Sequence, residues 1–191
     1  MTEPDINKVK GIFDILKNDV ERSIEAVNLS LSTPENYGFN VRSYIRSYAS
    51  WLEGSIWLYK HLITNAKYQW HRTLPIESQL FLYEHNWKIQ SNGQPVFQKR
   101  RVGTTENIRA FLYVMSELFP NFCSDLSGSG WAAVQHFFKV RDATMHPSDL
   151  KDLNIVETDV LQIDAGRLWL VQKFSQLNEC IELQINISEQ T

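Results

Sequence analysis

The sequence predicts an all-α protein, a helical bundle of about five to six helices with one β-hairpin insertion near residues 86–99. Two observations lead to this fold class. Apolar residues recur at intervals of three and four along most of the chain, which is the spacing of one helix face. The pair Asn92-Gly93 lies between two short runs of strand-forming residues, and Asn-Gly is the strongest short-range indication of a hairpin turn.

Composition indicates a single globular domain over residues 1–191. That length is enough to bury a sizeable core, and 43% of the residues are hydrophobic, with 6 Trp, 7 Tyr and 10 Phe. The formal net charge is only −3, so no global field attracts nucleic acid. Binding of RNA would therefore need a local basic patch.

Cysteine content and hydropathy indicate the compartment. Cys123 and Cys180 lack the paired spacing of a disulfide framework or a zinc ribbon, which fits a reducing environment. The N-terminal segment is charged and amphipathic without a signal-peptide core, and no apolar run approaches membrane-spanning length. We expect a cytoplasmic protein with no membrane partner, no cofactor and no metal.

Two long helices are predicted at the start of the chain. The first covers roughly residues 5–30, and the polar segment 33–38, which contains Pro34 and Gly38, is expected to break it. A second amphipathic helix follows over about residues 41–62. The short link between the two helices predicts an antiparallel pair.

The hairpin occupies the middle of the chain. Residues 87–90 and 95–98 are its predicted strands, and both Asn92 and Gly93 tolerate the positive φ of a tight turn. The preceding residues 76–84 fit a short helix or a strand, and the sequence does not distinguish these alternatives.

Three more helices are predicted after the hairpin. Apolar periodicity defines one over residues 105–119, which Pro120 ends. The loop at residues 127–130 caps a helix over residues 131–145, and the last helix starts near Thr158 as its N-cap, with Asp159 in the first turn.

The segment KVRDATMHPSD, residues 139–149, contains the candidate site. Asp142 and His146 lie four residues apart on one face of the predicted helix, and Arg141 lies about 140° from His146. Pro147 disfavours the helical conformation of the residue before it, so His146 is expected at the helix exit. Asp142 is then placed to accept a hydrogen bond from His146, which would fix the tautomer and raise the pKa of the imidazole.

These residue types leave two alternatives. A histidine oriented by a carboxylate can act as a general base, and an arginine beside it can hold a phosphate and stabilise its charge. Together they suit attack of an RNA 2′-hydroxyl on the adjacent phosphate. Alternatively, Arg141 is a solvated cation that suits the carboxyl end of the helix dipole. The residues alone favour this second alternative.

The spacing of Arg141 and His146, with a polar residue directly after the arginine, resembles the R-x4-6-H motif of the HEPN superfamily. The order of the helices is also similar to that of the family. The motif lies at the end of a helix that follows two long helices and precedes a long final helix. The hairpin and the continuation HPSDLKDL also resemble a group of bacterial HEPN-like proteins. The architectural resemblance covers most of the chain, whereas its specific part is six residues.

The resemblance implies a metal-independent endoribonuclease that leaves 2′,3′-cyclic phosphate ends, often a toxin or a phage-defence effector. HEPN ribonucleases typically form homodimers that bring two Arg/His pairs into one cleft. Arg141 would bind the scissile phosphate, His146 would transfer protons, and Asp142 would be the orienting polar residue. Glu53 is the candidate for an acidic residue that faces the site from an earlier helix, and a solvated or capping carboxylate is the alternative.

Partner predictions rest on a departure from the family and on a basic cluster. HEPN toxins that a nucleotidyltransferase antitoxin controls carry a tyrosine shortly after the motif histidine. Here Pro147 follows His146, so that form of regulation is not expected. Another antitoxin or protein partner remains an alternative. Lys99, Arg100 and Arg101 line an RNA groove or form a solvated face. The alternative function is a non-enzymatic helical module that dimerises or binds a nucleotide or RNA.

Aromatic and histidine residues elsewhere have simpler explanations. Five aromatic residues either stack bases or, as we expect for most, pack in a core or dimer face: Trp51, Trp57, Tyr59, Trp70 and Trp87. Four histidines lack metal-ligand spacing and are expected to be structural: His61, His71, His85 and His136.

Overall fold

The computed structural model describes residues 6–32, 34–64, 69–99 and 102–189. Within these ranges the elements follow in this order: α1 Ile6–Ser30, α2 Pro34–Ile63, α3 Ile76–Leu82, β1 His85–Ile89, β2 Pro95–Lys99, α4 Thr104–Leu118, α5 Ser129–Met145 and α6 Glu157–Glu189. The two strands pair antiparallel, and short 3-10 turns occur at Trp70–Thr73 and Leu150–Leu153. The predicted all-α class with a β-hairpin insertion is confirmed.

The chain divides into two compact units. The first contains Met1–Ser55 and Asp125–Phe174, and so holds α1, α5 and the first parts of α2 and α6. The second contains Ile56–Ser124 and Ser175–Thr191, and so holds α3, the hairpin, α4 and the remaining parts of α2 and α6. The motif residues and the hairpin therefore belong to different units.

Helices α1 and α2 form the predicted antiparallel pair in the first unit. Asn40 donates a hydrogen bond from Nδ2 to the carbonyl oxygen of Ala26 at 3.1 Å, and the ring centroids of Phe13 and Trp51 lie 6.3 Å apart. The expected break is shorter than predicted, because α2 already begins at Pro34. Proline suits the first helical position, where the backbone nitrogen needs no intrahelical partner.

Aromatic side chains fill the core of the first unit. Tyr48 of α2 and Phe137 of α5 are fully buried, with ring centroids 4.4 Å apart.

Helix α6 approaches α5 closely at Gly166, where a Cβ atom would lie 3.0 Å from the backbone carbon of Ala133 and the backbone nitrogen of Val134. The missing side chain of Gly166 therefore allows this helix contact.

The second unit has its own core and a buried charge. Tyr59 of α2 lies against Phe111 of α4, with ring centroids 5.9 Å apart. Lys60 is only 2% exposed, and its Nζ donates to Oδ1 of Asn107 at 2.9 Å and lies 3.4 Å from Oε1 of Glu84. A buried ammonium is tolerated here because it is hydrogen-bonded and paired.

The structure settles the one alternative that the sequence left open before the hairpin, and it shows how the turn is made. Residues 76–84 begin as helix α3, and Glu84 then takes a φ of 55° before β1. In the turn, Gly93 has a φ of 80° and donates a backbone hydrogen bond to Gln90 at 2.9 Å. Asn92 does not use a positive φ, and its side chain instead accepts a hydrogen bond from the backbone of Gln94 at 3.0 Å.

The starts of α5 and α6 differ slightly from the predictions. Helix α5 begins at Ser129 rather than at residue 131, with Gly128 as its N-cap. The prediction of Thr158 as the N-cap of α6 is wrong, because the helix begins at Glu157. Asp159, in the first turn as predicted, accepts a hydrogen bond from the backbone nitrogen of Val156 at 3.2 Å. The carboxylate of Asp159 thus accepts a hydrogen bond from a backbone N–H at the helix start, which has no acceptor within the helix.

Candidate functional site

Helix α5 ends at the motif histidine, as Pro147 predicted. His146 is the C-cap residue, with φ −131° and ψ 60°, and its backbone nitrogen donates to the carbonyl oxygen of Asp142 at 3.0 Å. The proline ring excludes the helical conformation at His146, which turns this residue out of the helix. The side chain of His146 is exposed.

Arg141 lies between two carboxylates from different helices. Its Nη1 donates to Oδ1 of Asp142 at 2.9 Å, and its Nη2 donates to Oε1 of Glu53 in α2 at 3.4 Å. The Arg141 side chain is 24% exposed, whereas those of Asp142 and Glu53 are 62% and 46% exposed. The structure thus brings together Glu53, Arg141 and Asp142, three of the four residues proposed as catalytic or supporting.

The expected hydrogen bond between Asp142 and His146 is not formed. Asp142 pairs with its neighbour Arg141 instead, and among the described residues no hydrogen-bond partner faces the His146 ring. The physical reason is the helix exit, because the non-helical backbone of His146 removes its side chain from the face that carries Asp142. Orientation of His146 by Asp142 is therefore absent in this structure.

Core packing on α2 and α5 places Glu53 beside Arg141. The buried contact between Tyr48 and Phe137 lies one turn before these residues on each helix. At Gly54, next to Glu53, a Cβ atom would lie 2.6 Å from Cδ1 of Leu16, so α2 is also held close to α1 at this level. The packing of α2 against α1 and α5 therefore fixes the backbone position of Glu53.

The connection after His146 is organised by one carboxylate. Oδ2 of Asp152 accepts hydrogen bonds from the backbone nitrogen and the hydroxyl of Ser148, both at 2.8 Å, and from the backbone nitrogen of Asp149 at 3.0 Å. These bonds, first of all that from the Ser148 hydroxyl, lower the pKa of Asp152 below its ordinary value. Asp149 and Asp152 also form a capping box around the 3-10 turn Leu150–Leu153.

The ion pairs of Arg141 are weak enough for an anion to replace. Exposed pairs of this kind contribute about 0–1 kcal/mol to stability, because water screens the charges. A phosphodiester can form two parallel hydrogen bonds with a guanidinium, whereas Arg141 makes a single hydrogen bond to each of its two carboxylates. The site therefore offers an accessible cation and, on the following turn, an exposed imidazole.

The proposed RNA-binding residues are only partly described. Lys99 ends β2 in the second unit and is exposed. Arg100 and Arg101 lie outside the described residues. The site residues Glu53, Arg141 and His146 all belong to the first unit.

The aromatic residues divide as expected between core and surface. Trp51, Tyr59 and Trp70 are buried, whereas Trp57 and Trp87 keep 39% and 52% of their surface exposed. Most of the five therefore pack in the interior, and Trp87 belongs to the exposed hairpin.

Two histidines make structural contacts. His71 is buried, with Nδ1 3.3 Å from the carbonyl oxygen of Ile63 and Nε2 2.7 Å from the hydroxyl of Tyr83. His136 of α5 lies 2.9 Å from Oδ1 of Asp159 in the first turn of α6. Sequence analysis missed this histidine–carboxylate pair, because 23 residues and an irregular connection separate the partners and no local spacing reveals it.

The part of the chain that the structure describes has neither a metal-binding cluster nor a membrane-spanning helix. Among the described residues, no group of three or more His, Cys, Asp or Glu side chains is arranged to hold a metal ion. Within the same part of the chain, no helix combines the length and the apolar character needed to cross a membrane.

Comparison with known proteins gave no match: no family model fits the chain, and neither a curated protein nor a solved structure is significantly similar to it.

Proposed function

We propose that this chain is a metal-independent endoribonuclease of the HEPN type that acts as a homodimer in the cytoplasm, as a toxin or a phage-defence effector. The supporting observation is the arrangement at the end of α5. The guanidinium of Arg141 is accessible beside Glu53, and the exposed imidazole of His146 follows at the helix exit. An accessible cation and an exposed imidazole are groups that metal-independent RNA cleavage uses.

The assigned reaction is a transfer of the phosphodiester within RNA. His146 accepts the proton of the 2′-hydroxyl, and the 2′-oxygen forms a bond to phosphorus. The bond from phosphorus to the 5′-oxygen breaks, and this oxygen takes a proton from water or from the imidazolium of the second copy. The products are a 2′,3′-cyclic phosphate and a 5′-hydroxyl. Arg141 stabilises the charge on the non-bridging oxygens.

Glu53 and Asp142 have positioning roles in this proposal. Both contact Arg141, Asp142 at 2.9 Å and Glu53 at 3.4 Å. The scissile phosphate replaces the longer contact, while the shorter one keeps the guanidinium directed toward the substrate. Asp142 is thus a positioning residue for Arg141, which differs from the family-based expectation that it orients the histidine.

The test compares wild type with Arg141→Ala and His146→Ala on total RNA in EDTA, with the product ends mapped. Wild type is expected to cleave without metal and to leave 2′,3′-cyclic phosphates. Each substitution is expected to lower the rate by about 100-fold or more, which is typical for loss of a general base or a charge-stabilising donor.

Two exposed residues of α5 provide matched controls for this experiment. Lys139→Ala removes a neighbouring cation, and Met145→Ala truncates the side chain directly before His146. Both variants are expected to cleave like wild type. Cleavage that persists unchanged in Arg141→Ala and His146→Ala, or its absence in wild type, would contradict the proposal.

A second candidate function is a helical module that dimerises or binds a partner without catalysis. An exposed apolar stripe on α6 favours it, formed by Leu161, Leu168 and Val171, which helical spacing places on one side of the helix. Under this hypothesis Leu168→Glu dissociates a dimer seen by light scattering, and His146→Ala changes no measured activity. RNA cleavage that depends on His146 would exclude the purely non-catalytic function.

A further inference from the structure

The β-hairpin presents an aromatic face in the second unit. Strand register places Trp87 opposite Phe97 and Ile89 opposite Pro95, so these four side chains share one side of the hairpin, called the aromatic face below. Every residue of both strands is exposed, and Trp87 and Phe97 keep 52% and 67% of their surface in water. An exposed apolar patch of this kind marks a binding surface.

The turn geometry explains the positions of Trp87 and Phe97 in the strand pairing. The backbone nitrogen of Gln90 donates to the carbonyl oxygen of Gln94 at 2.9 Å, so these two residues form a hydrogen-bonded pair. From there along the strands, opposite residues alternate between non-hydrogen-bonded and hydrogen-bonded pairs. Trp87 and Phe97 occupy a non-bonded pair, where cross-strand side chains come closest. Pro95 also falls at a non-bonded position, where its missing N–H costs no ladder bond.

A row of ring contacts connects the aromatic face to the core of the second unit. The ring of His71, which is buried, lies 5.3 Å from that of Tyr83. The ring of Tyr83 stacks on His85 at 6.5 Å, and the ring of His85 lies 6.1 Å from that of Phe97. Phe97 is therefore presented with a packed neighbour, which lowers the entropy lost when a ligand binds to its ring.

The charge of the hairpin has one sign. From His85 to Lys99 the hairpin contains two lysines, Lys88 and Lys99, and no Asp or Glu, although the whole chain carries a net charge of −3. Lys99 pairs with His85 on the same side as the aromatic face, and Lys88 extends from the opposite side. Exposed rings next to cations match the bases and phosphates of a single-stranded nucleic acid.

We propose that the aromatic face is a stacking platform for single-stranded RNA. Trp87 and Phe97 each stack on a base, and Lys99 contacts a phosphate. The choice of RNA rests on the proposed function, whereas binding itself requires no cleavage. A second copy of this chain is a poorer occupant, because two hairpins face to face would bring like charges together.

Fluorescence anisotropy with labelled oligoribonucleotides tests the platform. The probes are oligo-U and oligo-A of about twelve nucleotides, a length within the usual range of single-strand sites. The full chain carries His146→Ala, so that cleavage does not consume the probe. Both probes are expected to bind with similar affinity, because every base has a face for stacking, and an RNA duplex of the same length is expected to bind more weakly.

Ring-specific variants separate stacking from general apolar contact. Trp87→Leu and Phe97→Leu are each expected to weaken binding about tenfold, the usual scale for loss of one stacked base. Trp87→Phe keeps a ring and is expected to retain most of the affinity. Trp57→Leu changes an exposed tryptophan outside the hairpin and is the matched control, with no expected effect.

Salt dependence tests the contribution of Lys99. Lys99→Gln is expected to reduce the slope of log affinity against log salt by about one, as loss of a single phosphate contact does. Lys151→Gln, which changes an exposed lysine of the first unit, is expected to leave the slope unchanged.

Three results would overturn the platform: no binding of either probe, binding that Trp87→Leu and Phe97→Leu leave intact, or light scattering in which these variants dissociate a wild-type dimer. The two proposals fail separately. Probe binding that depends on the hairpin, in a protein that cleaves no RNA, contradicts the ribonuclease alone. Cleavage that depends on His146, with binding indifferent to Trp87 and Phe97, contradicts the platform alone.

Discussion

Substitution of Gly166 by alanine is expected to destabilise the contact between α5 and α6. The added Cβ would lie 3.0 Å from two backbone atoms of α5, at Ala133 and Val134, and backbone cannot turn aside as a flexible side chain does. Overpacking of this kind costs about 1–3 kcal/mol. Alanine gains about 1 kcal/mol over glycine within a helix, so the net change for Gly166→Ala is a loss of about 0–2 kcal/mol.

Gly11→Ala is the matched control, because Gly11 lies in helix α1 and a Cβ there would meet nothing within 4 Å. This variant gains the same helical propensity without the clash, and is expected to be about 1 kcal/mol more stable than wild type. The difference between the two variants therefore isolates the steric cost of about 1–3 kcal/mol, or roughly 2–12 °C in melting temperature. Thermal unfolding followed by circular dichroism measures it. Equal melting temperatures for Gly166→Ala and Gly11→Ala would refute the close helix contact.

Other predictions concern charges. Glu84→Gln is expected to lower the free energy of unfolding by about 2 kcal/mol, because it leaves the buried ammonium of Lys60 opposite a neutral group. Lys60→Met removes that ammonium and is expected to lower the free energy of unfolding by less. Urea unfolding of the two variants measures both values. Glu53→Gln is expected to cost less than about 1 kcal/mol in the same assay, because its contact with Arg141 is exposed; a larger loss would make the pair structural. The lowered pKa of Asp152 stabilises the fold above the ordinary value of 3.8, and this contribution is lost as the pH falls below it. Asp152→Asn is therefore expected to lose less stability on acidification, measured by unfolding at about pH 6 and about pH 3.

The helices and the hairpin were predictable because local patterns determine them. Apolar spacing defined the long helices, Pro147 placed the end of α5, and Asn92-Gly93 placed the turn. Helix starts were less accurate, since Pro34 and Thr158 are each compatible with more than one position near a helix terminus. The close approach at Gly166 has no local pattern, because it depends on which helix packs against it.

Of the contacts around the candidate site, the sequence suggested one and missed the others. The resemblance suggested Glu53 as an opposing acid, and its carboxylate does contact Arg141, across a separation of 88 residues. Helical spacing suggested that Asp142 bonds His146, whereas the non-helical backbone of His146 turns its side chain away and Asp142 pairs with Arg141. The pair of His136 and Asp159 depends on the packing of α6 on α5, which periodicity within one helix does not contain.

The three hydrogen bonds that Asp152 accepts have a consequence for the mobility of the motif. They fold the chain after Pro147 into a closed turn, so His146 is held between a helix end on one side and this turn on the other. Its backbone has few conformations to lose, while its ring keeps its torsional freedom. A ligand that captures the imidazole therefore has to immobilise two side-chain torsions and not a flexible loop, which reduces the ordering entropy of binding at this position.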